Sequence, residues 1–230
     1  MQNSAFSIHF VVNSLVTLLH YVPITLLITA LSICLGLVLG LFVTIGQLVP
    51  NRVLNGLSIG FIALMRGTPM LLLLLLIYYG LPLLLQSFAI DISGWNQVVF
   101  AILALSINIS AYFSETMRSA YSAISADQYE AGLSVGMSNK RIISRIIVPQ
   151  ATAIALPNIG NSMISIIKHS SLVYAIGITD IYQQAQTVAS STFGMRQLEV
   201  FVAVALIYWM ICILVERIIA VIEGRFSYLR

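Results

Sequence analysis

Long apolar stretches alternate with short polar ones along the whole chain. Five segments approach the roughly 20 mainly apolar residues that a helix needs to cross about 30 Å of hydrocarbon. They are Tyr21–Leu48, Leu57–Leu85, Val98–Met117, Ala151–Ile167 and Val200–Ile222. The fourth is interrupted by Pro157, Asn158, Asn161 and Ser162. Lipid-exposed backbone tolerates no break, so this span is expected to pack inside protein or line a cavity. Between the last two spans, Ser170–Gln197 carries the apolar run Leu172–Ile181, which predicts a turn or re-entrant stretch at the membrane surface. With no internal repeat or linker, residues 1–230 read as one all-α membrane domain of five spanning helices.

Composition strengthens that pattern. Hydrophobic residues make up 59% of the 230 and charged ones 8%, against about 25% charged in an ordinary soluble domain. Lipid is the solvent that fits. The first twenty residues contain no Lys or Arg, so the basic region of a cleavable signal peptide is missing and the first span is expected to be retained. Cys34 and Cys212 both fall inside spans and read as small packing residues, with no metal site and no disulfide framework. No nucleic-acid partner is expected.

Charge gives the chain a direction. No basic residue precedes the first span, and the loop Gln86–Gln97 carries Asp91 and Trp95 but no positive charge. Arg52 occupies the first loop, Arg118, Lys140, Arg141 and Arg145 the third, and Arg217, Arg225 and Arg230 the end of the chain. By the positive-inside rule the N-terminus is outside and the C-terminus in the cytoplasm. Asp180 and Arg196 then face outward.

The inner segment of about 118–150 differs from the other loops. Ser125 followed by Gln128, with Asp127 between them, is a capping-box pattern with negative charge in the first turn. A helix is predicted from there to Gly136, a residue suited to a left-handed cap. A second starts at Ser138, with Lys140, Arg141, Ser144 and Arg145 near one face and Ile142, Ile143, Ile146 and Ile147 near the other, and Pro149 limits it. Two short helices hinged at a glycine make a rigid knuckle. One reading is an amphipathic linker resting on lipid headgroups. The other is a docking element, in which small Ala131, Gly132 and Gly136 admit a partner's surface and Glu130 offers it a charge-assisted contact.

The residues Glu130-Ala131-Gly132, with Gly136 and the run Ile147-Val148-Pro149-Gln150-Ala151, resemble the "EAA" loop of ABC-importer permeases. More narrowly, the chain resembles the five-span permeases of polar amino-acid importers. Arg66-Gly67-Thr68-Pro69 and Tyr79-Gly80-Leu81-Pro82 match that family in the second span. Ala111-Tyr112, Glu115 and Arg118 match it in the third, and Leu156-Pro157, Asn161 and Lys168-His169-Ser170-Ser171-Leu172 in the fourth. Gly132 departs from the family's usual Ala, and Asp127 from a common Gly. The resemblance implies a type I ABC importer permease fold in a bacterial inner membrane. It also implies a second permease subunit, identical or a close paralogue, an external solute-binding protein, and a dimer of ATPase subunits at the loop. ATP and Mg would sit on that ATPase, because no G-x-x-x-x-G-K-[ST] phosphate loop occurs in this chain. Gln183-Gln184-Ala185-Gln186, Leu198-Glu199-Val200-Phe201 and Ala205-Leu206-Ile207-Tyr208-Trp209 look most like cystine-type permeases, which makes L-cystine the leading substrate.

Polar residues inside spans are costly, about 2.5–3.5 kcal/mol for a charge, and each asks for a reason. Arg66 either snorkels to inner headgroups or takes part in a pair or pathway, and Pro69 is expected to kink its helix. Glu115 and Arg118, three apart, suit an ion pair, with substrate contact as the second reading of Glu115. Asn108 is the better candidate for lining a polar cavity. Lys168, next to Ser170 and Ser171, would meet a substrate carboxylate or else stabilise a helix C-terminus. Asn161 completes the candidate pathway, and His9 and His20 are expected to stand aside at the outer surface. Met70–Ile77 reads as lipid-facing or packing surface. A self-contained secondary transporter would show paired broken helices in two halves, and an intramembrane enzyme a catalytic motif such as H-E-x-x-H. Five spans and no visible inverted repeat argue against such a transporter or channel, and neither H-E-x-x-H nor a paired-aspartate motif appears.

Overall fold

The computed structural model describes residues 6–226, and within them every regular element is a helix. Nine helices follow in order: α1 (Ile8–Leu19), α2 (Val22–Leu48), α3 (Arg52–Gly67), α4 (Met70–Gln86), α5 (Gln97–Ser122), α6 (Ala126–Ser134), α7 (Asn139–Ile176), α8 (Ile181–Ser191) and α9 (Gln197–Phe226). Four of them, α2, α5, α7 and α9, are long and apolar enough to cross a membrane, and a fifth span results when the bent pair α3 and α4 counts as one. The predicted second span is therefore not one continuous helix. It breaks at Thr68 and Pro69, the position where a kink is expected, because proline has no N–H for the helical ladder. Arg230, one of the inner charges, lies outside the described residues.

The prolines do not all act alike. Pro149 is expected to end the helix begun at Ser138, and instead that helix runs on to Ile176. Five residues of wider π-helical turn, Ile143–Ile147, come just before Pro149, and Leu76–Gly80 form the same kind of turn just before Pro82. A π turn shifts the hydrogen-bond register and so absorbs the donor that proline lacks. The Gln150 side-chain amide also donates to the Ile146 carbonyl, at 3.0 Å. Pro157 sits inside the regular helical stretch Val148–His169, so the fourth span is unbroken where interruption is expected. The inner knuckle is thus one short helix, α6, followed by the first turns of a spanning one.

The chain packs as two compact units. One gathers residues up to Cys34, Thr68–Ser106 and Ser165–Leu214. Its core includes Leu18, Ile28, Leu74, Phe100, Leu105, Val173, Ile181 and Ile207, with Tyr78 edge-on to Phe100 at 5.4 Å. In this unit Ser170–Ile176 tighten into a 3-10 turn that Gly177 ends at φ 84°, and Asp180 then caps α8. Where a turn or re-entrant stretch is expected, the chain makes a turn followed by an eleven-residue helix.

The other unit gathers Leu35–Gly67, Ile107–Ile164 and residues from Val215 onward. Small residues bring its helices close, as spanning helices require when lipid supplies no hydrophobic drive. A Cβ on Gly40 would stand 2.9 Å from the Phe113 Cβ, and one on Gly160 2.7 Å from the Ile219 Cγ2. The Thr44 hydroxyl donates to the Gly40 carbonyl at 2.8 Å, and the Gln47 amide to the Ser114 hydroxyl at 2.7 Å. The first bond lies within α2; the second, with a longer bond from the Thr44 hydroxyl to the Ser114 carbonyl at 3.3 Å, joins α2 to α5.

Candidate functional site

The inner knuckle begins as expected. Ser125 caps α6, its hydroxyl accepting from the Asp127 N–H at 3.3 Å. At the far end Gly136 takes φ 77°, its N–H bonds the Leu133 carbonyl at 2.9 Å, and the Met137 N–H bonds the Gly132 carbonyl at 3.0 Å. This is the paired-bond helix stop that a left-handed glycine makes possible. Glu130 and Ala131 are exposed, as a docking face requires. Gly132 is not part of that face. It is buried against Ile142, so its small size serves contact between α6 and α7 rather than a partner's approach. Pro149 lies on α7 beyond the π turn.

The candidate pathway residues divide between the two units. In the second unit, Arg66 and Glu115 line one open cavity of about 500 Å³, together with Gln47, Ile59 and Gly67. The Arg66 guanidinium lies over the Tyr112 ring at 5.7 Å, a cation–π contact. Arg118 forms the expected ion pair with Glu115, its Nη2 2.5 Å from Oε1. The cavity thus presents an arginine, a carboxylate and an amide to one volume. Asn108 is buried and donates its amide to the Met65 carbonyl at 3.3 Å, which ties α5 to α3.

In the first unit, Lys168 and Ser171 line a smaller cavity of about 230 Å³ with Tyr182, Val204 and Tyr208. Ser170 is not among the lining residues; it is buried, its hydroxyl donating to the Ile167 carbonyl at 2.7 Å and within hydrogen-bonding reach of Tyr208. Lys168 also stands in the last turn of the helix Val148–His169, so both readings of that lysine describe its position. Along α7, Asn158, Asn161, Ser165 and Lys168 are all exposed and recur three to four residues apart, on one face of a continuous helix. A polar face of this length on a membrane-spanning helix is unfavourable against hydrocarbon.

Sequence reasoning placed Asp180 in the outward segment but gave it no role. Its carboxylate is fully buried, accepts from the Gln183 N–H at 2.9 Å, and takes a longer bond from the Tyr208 hydroxyl at 3.5 Å. Burial pushes its pKa up from 3.8 to about 6, against the lowering effect of the backbone N–H groups. The spacing Asp180…Gln183 is itself a capping pattern and carried the signal. Glu199 was missed as well. It is buried, pairs with Arg196 at 2.8 Å, and accepts from the Ser7 N–H at 3.3 Å.

Residues 32–228 match the family model described as "Binding-protein-dependent transport system inner membrane component". The L-cystine transport system permease protein TcyL of Bacillus subtilis is 33% identical over 221 residues, covering 96% of this chain and 92% of TcyL. A probable amino-acid ABC transporter permease protein, PatM of Vibrio harveyi, is 36% identical over 93% of each chain. The glutamine transport system permease protein GlnP of Escherichia coli K12 is 32% identical over 92% of this chain and 94% of its own. A crystal structure of an amino acid ABC transporter with histidines superposes with a TM-score of 0.76 at 31% identity, over 91% of this chain and 97% of that one.

Proposed function

The chain belongs to the family of binding-protein-dependent transport system inner membrane components, and from that premise we propose that it forms the translocation pathway of an ATP-driven importer of polar amino acids. L-cystine is the leading substrate. Its N-terminus is outside and its C-terminus in the cytoplasm, following the distribution of Lys and Arg. Hydrolysis belongs to a separate ATPase dimer that carries ATP and Mg and seats on the face of Glu130 and Ala131. A solute-binding protein delivers substrate from outside, and a second permease, a copy or a close paralogue, completes the pathway.

The observation that carries this reading is the cavity shared by Arg66 and Glu115. A free amino acid presents a carboxylate and an ammonium, and a guanidinium beside a carboxylate answers both. Its volume of about 500 Å³ lies within the range of small-molecule sites. The exposed polar face of α7 supports the second subunit, because a facing permease would cover it with protein and water instead of lipid.

Uptake measurements test the proposal. The protein is reconstituted with and without its co-purifying ATPase, and uptake of labelled cystine, glutamine, histidine and arginine is followed. ATP-dependent uptake with cystine preferred is the expected result. Uptake without ATP would sink the importer reading in favour of a self-contained secondary transporter. ATP-dependent uptake of another amino acid would replace cystine and leave the rest standing.

A further inference from the structure

Helix α1 is absorbed by no part of the transport reading, yet its twelve residues and the C-cap His20 carry three distinct faces. Val11, Ser14 and Leu18 are buried against the protein, and α8 is among the elements α1 touches. Ile8, Val12, Val16 and Leu19 form a second stripe, 49–72% exposed and wholly apolar. His9, Asn13, Thr17 and His20 form a third, also exposed and wholly polar. Both exposed stripes repeat at intervals of three and four residues, so each runs the full length of the helix.

These two stripes constrain how α1 meets a membrane. Set upright in hydrocarbon, the helix would bury two imidazoles and an amide in lipid. The Thr17 hydroxyl meets the Asn13 carbonyl at 3.1 Å, and His20 Nδ1 lies 3.0 Å from the Val16 carbonyl. The other imidazole nitrogens and the Asn13 amide cannot all be met from within the helix, and each unmet polar group is costly. Set upright in water, it would expose four large aliphatic side chains along about 18 Å of length. Only a helix lying in the plane of the interface satisfies both, with one stripe in the acyl boundary and the other among headgroups and water.

The ends of α1 agree with that placement. Only His20 and Tyr21 separate its C-terminus from spanning helix α2. Its N-terminus is fastened near the start of spanning helix α9, by the Ser7 N–H on Glu199 and by Arg196 over the Phe10 ring at 6.0 Å. With the bent pair α3 and α4 counted as one span, three spans lie between the two anchoring helices, so both begin at the same membrane face. The approach to α9 extends the apolar surface with Phe193, Met195 and Leu198, exposed by 92%, 68% and 65%.

We propose that α1 is an in-plane membrane-surface helix, with Ile8, Val12, Val16 and Leu19 seated in lipid and His9, Asn13, Thr17 and His20 facing headgroups and water. It packs against α8, the helix that carries Tyr182 of the smaller cavity. Its occupant is the lipid surface, and the absence of Lys and Arg from α1 means that the apolar stripe, not attraction to anionic lipid, sets its affinity.

Spin labels placed one at a time in a Cys34→Ser, Cys212→Ser background, in the full protein in lipid nanodiscs, test this directly. Labels at Val12→Cys and Val16→Cys are expected to collide several-fold more often with oxygen than with a water-soluble nickel chelate. Labels at His9→Cys, Asn13→Cys and Thr17→Cys are expected to show the reverse. Equal chelate access at all five positions would place the helix in water and overturn the proposal. A steady gradient of depth from residue 9 to residue 17 would make it an upright helix, and spin–spin broadening at Val12 or Val16 would place a second copy there. Either result would also overturn it. Retained circular dichroism confirms that each labelled variant is folded.

Discussion

Gly132 lies directly over the Ile142 side chain, so that a Cβ built on it would stand 2.7 Å from Ile142 Cγ1 and 3.0 Å from Cδ1. Ile142 is fully buried, which leaves its side chain little room to yield. Gly132→Ala is therefore expected to destabilise the knuckle by about 1–3 kcal/mol, the ordinary cost of overpacking. The same substitution made in an Ile142→Ala background is expected to cost far less, since the clash is gone. Thermal denaturation of the four proteins of this cycle measures the coupling. Additive effects would show that the two side chains do not compete for space.

Glu130 projects from the same helix toward solvent and makes no side-chain ion pair among the described residues. Reversing its charge removes nothing from the fold, so Glu130→Lys is expected to leave stability within about 0.5 kcal/mol of the parent. Association with the ATPase should nevertheless be lost. Co-purification of the tagged permease with its ATPase reads the outcome, and normal recovery would move the docking face elsewhere.

Much of this knuckle was legible in the sequence because its signals are local. Ser125 caps, Gly136 turns left-handed, and both act within a few residues of themselves. The direction in which Gly132 faces was not legible, because it depends on Ile142 ten residues away across a turn. Pro149 and Pro157 misled for a related reason. A proline removes one donor locally, but whether the helix survives depends on a register shift such as that at Ile143–Ile147 and on what surrounds the freed carbonyl. Asp180 had a capping pattern to reveal it, whereas its burial beside Tyr208 arises only when α8 and α9 come together. Arg66 and Glu115 are 49 positions apart, and no periodicity predicts that they share a cavity.

The raised pKa of Asp180 gives the first unit a pH dependence of known sign. Below about 3.8 the carboxyl is protonated folded or unfolded, and burial costs nothing electrostatic. Between there and about 6 the folded protein holds the proton that the unfolded chain releases, so stability falls as pH rises through this window. Asp180→Asn keeps a good helix cap but cannot ionise. Melting temperatures from pH 4 to pH 7 are expected to fall more steeply for the parent than for this variant. Parallel curves would show that the carboxyl is not held protonated by burial.

Arg66 and Glu115 separate transport from stability. The Glu115–Arg118 pair is about one-third exposed on each side chain, and ion pairs three or four residues apart on a helix surface contribute about 0.2–0.5 kcal/mol. Glu115→Gln should thus melt within a degree or two of the parent while slowing uptake by about tenfold, the loss of one charged contact worth about 1.4 kcal/mol. Arg66→Gln is expected to raise the substrate concentration needed for half-maximal uptake. Unchanged uptake in both variants would remove this cavity from the pathway.

Two turns in the first unit place side chains where glycine is favoured. Ala89 takes φ 62° and Phe193 φ 53°, each just past a helix end. In both, one N–H reaches back five residues: that of Ile90 to the Leu85 carbonyl, and that of Gly194 to the Ala189 carbonyl. A left-handed conformation costs an L-residue about 1–2 kcal/mol through contact of Cβ with the backbone, a penalty glycine does not incur. Part of that gain is lost to glycine's greater freedom in the unfolded chain. Ala89→Gly is therefore expected to be neutral to stabilising, the reverse of its effect within a helix. At Phe193 the comparison is cleaner still, because both Phe193→Ala and Phe193→Gly delete the exposed ring and only the first keeps the strain. Phe193→Gly should melt above Phe193→Ala. Equal melting, or a lower value for glycine, would mean that the turn relaxes away from φ 53° when the ring is gone, and that the phenyl group itself holds the chain in place.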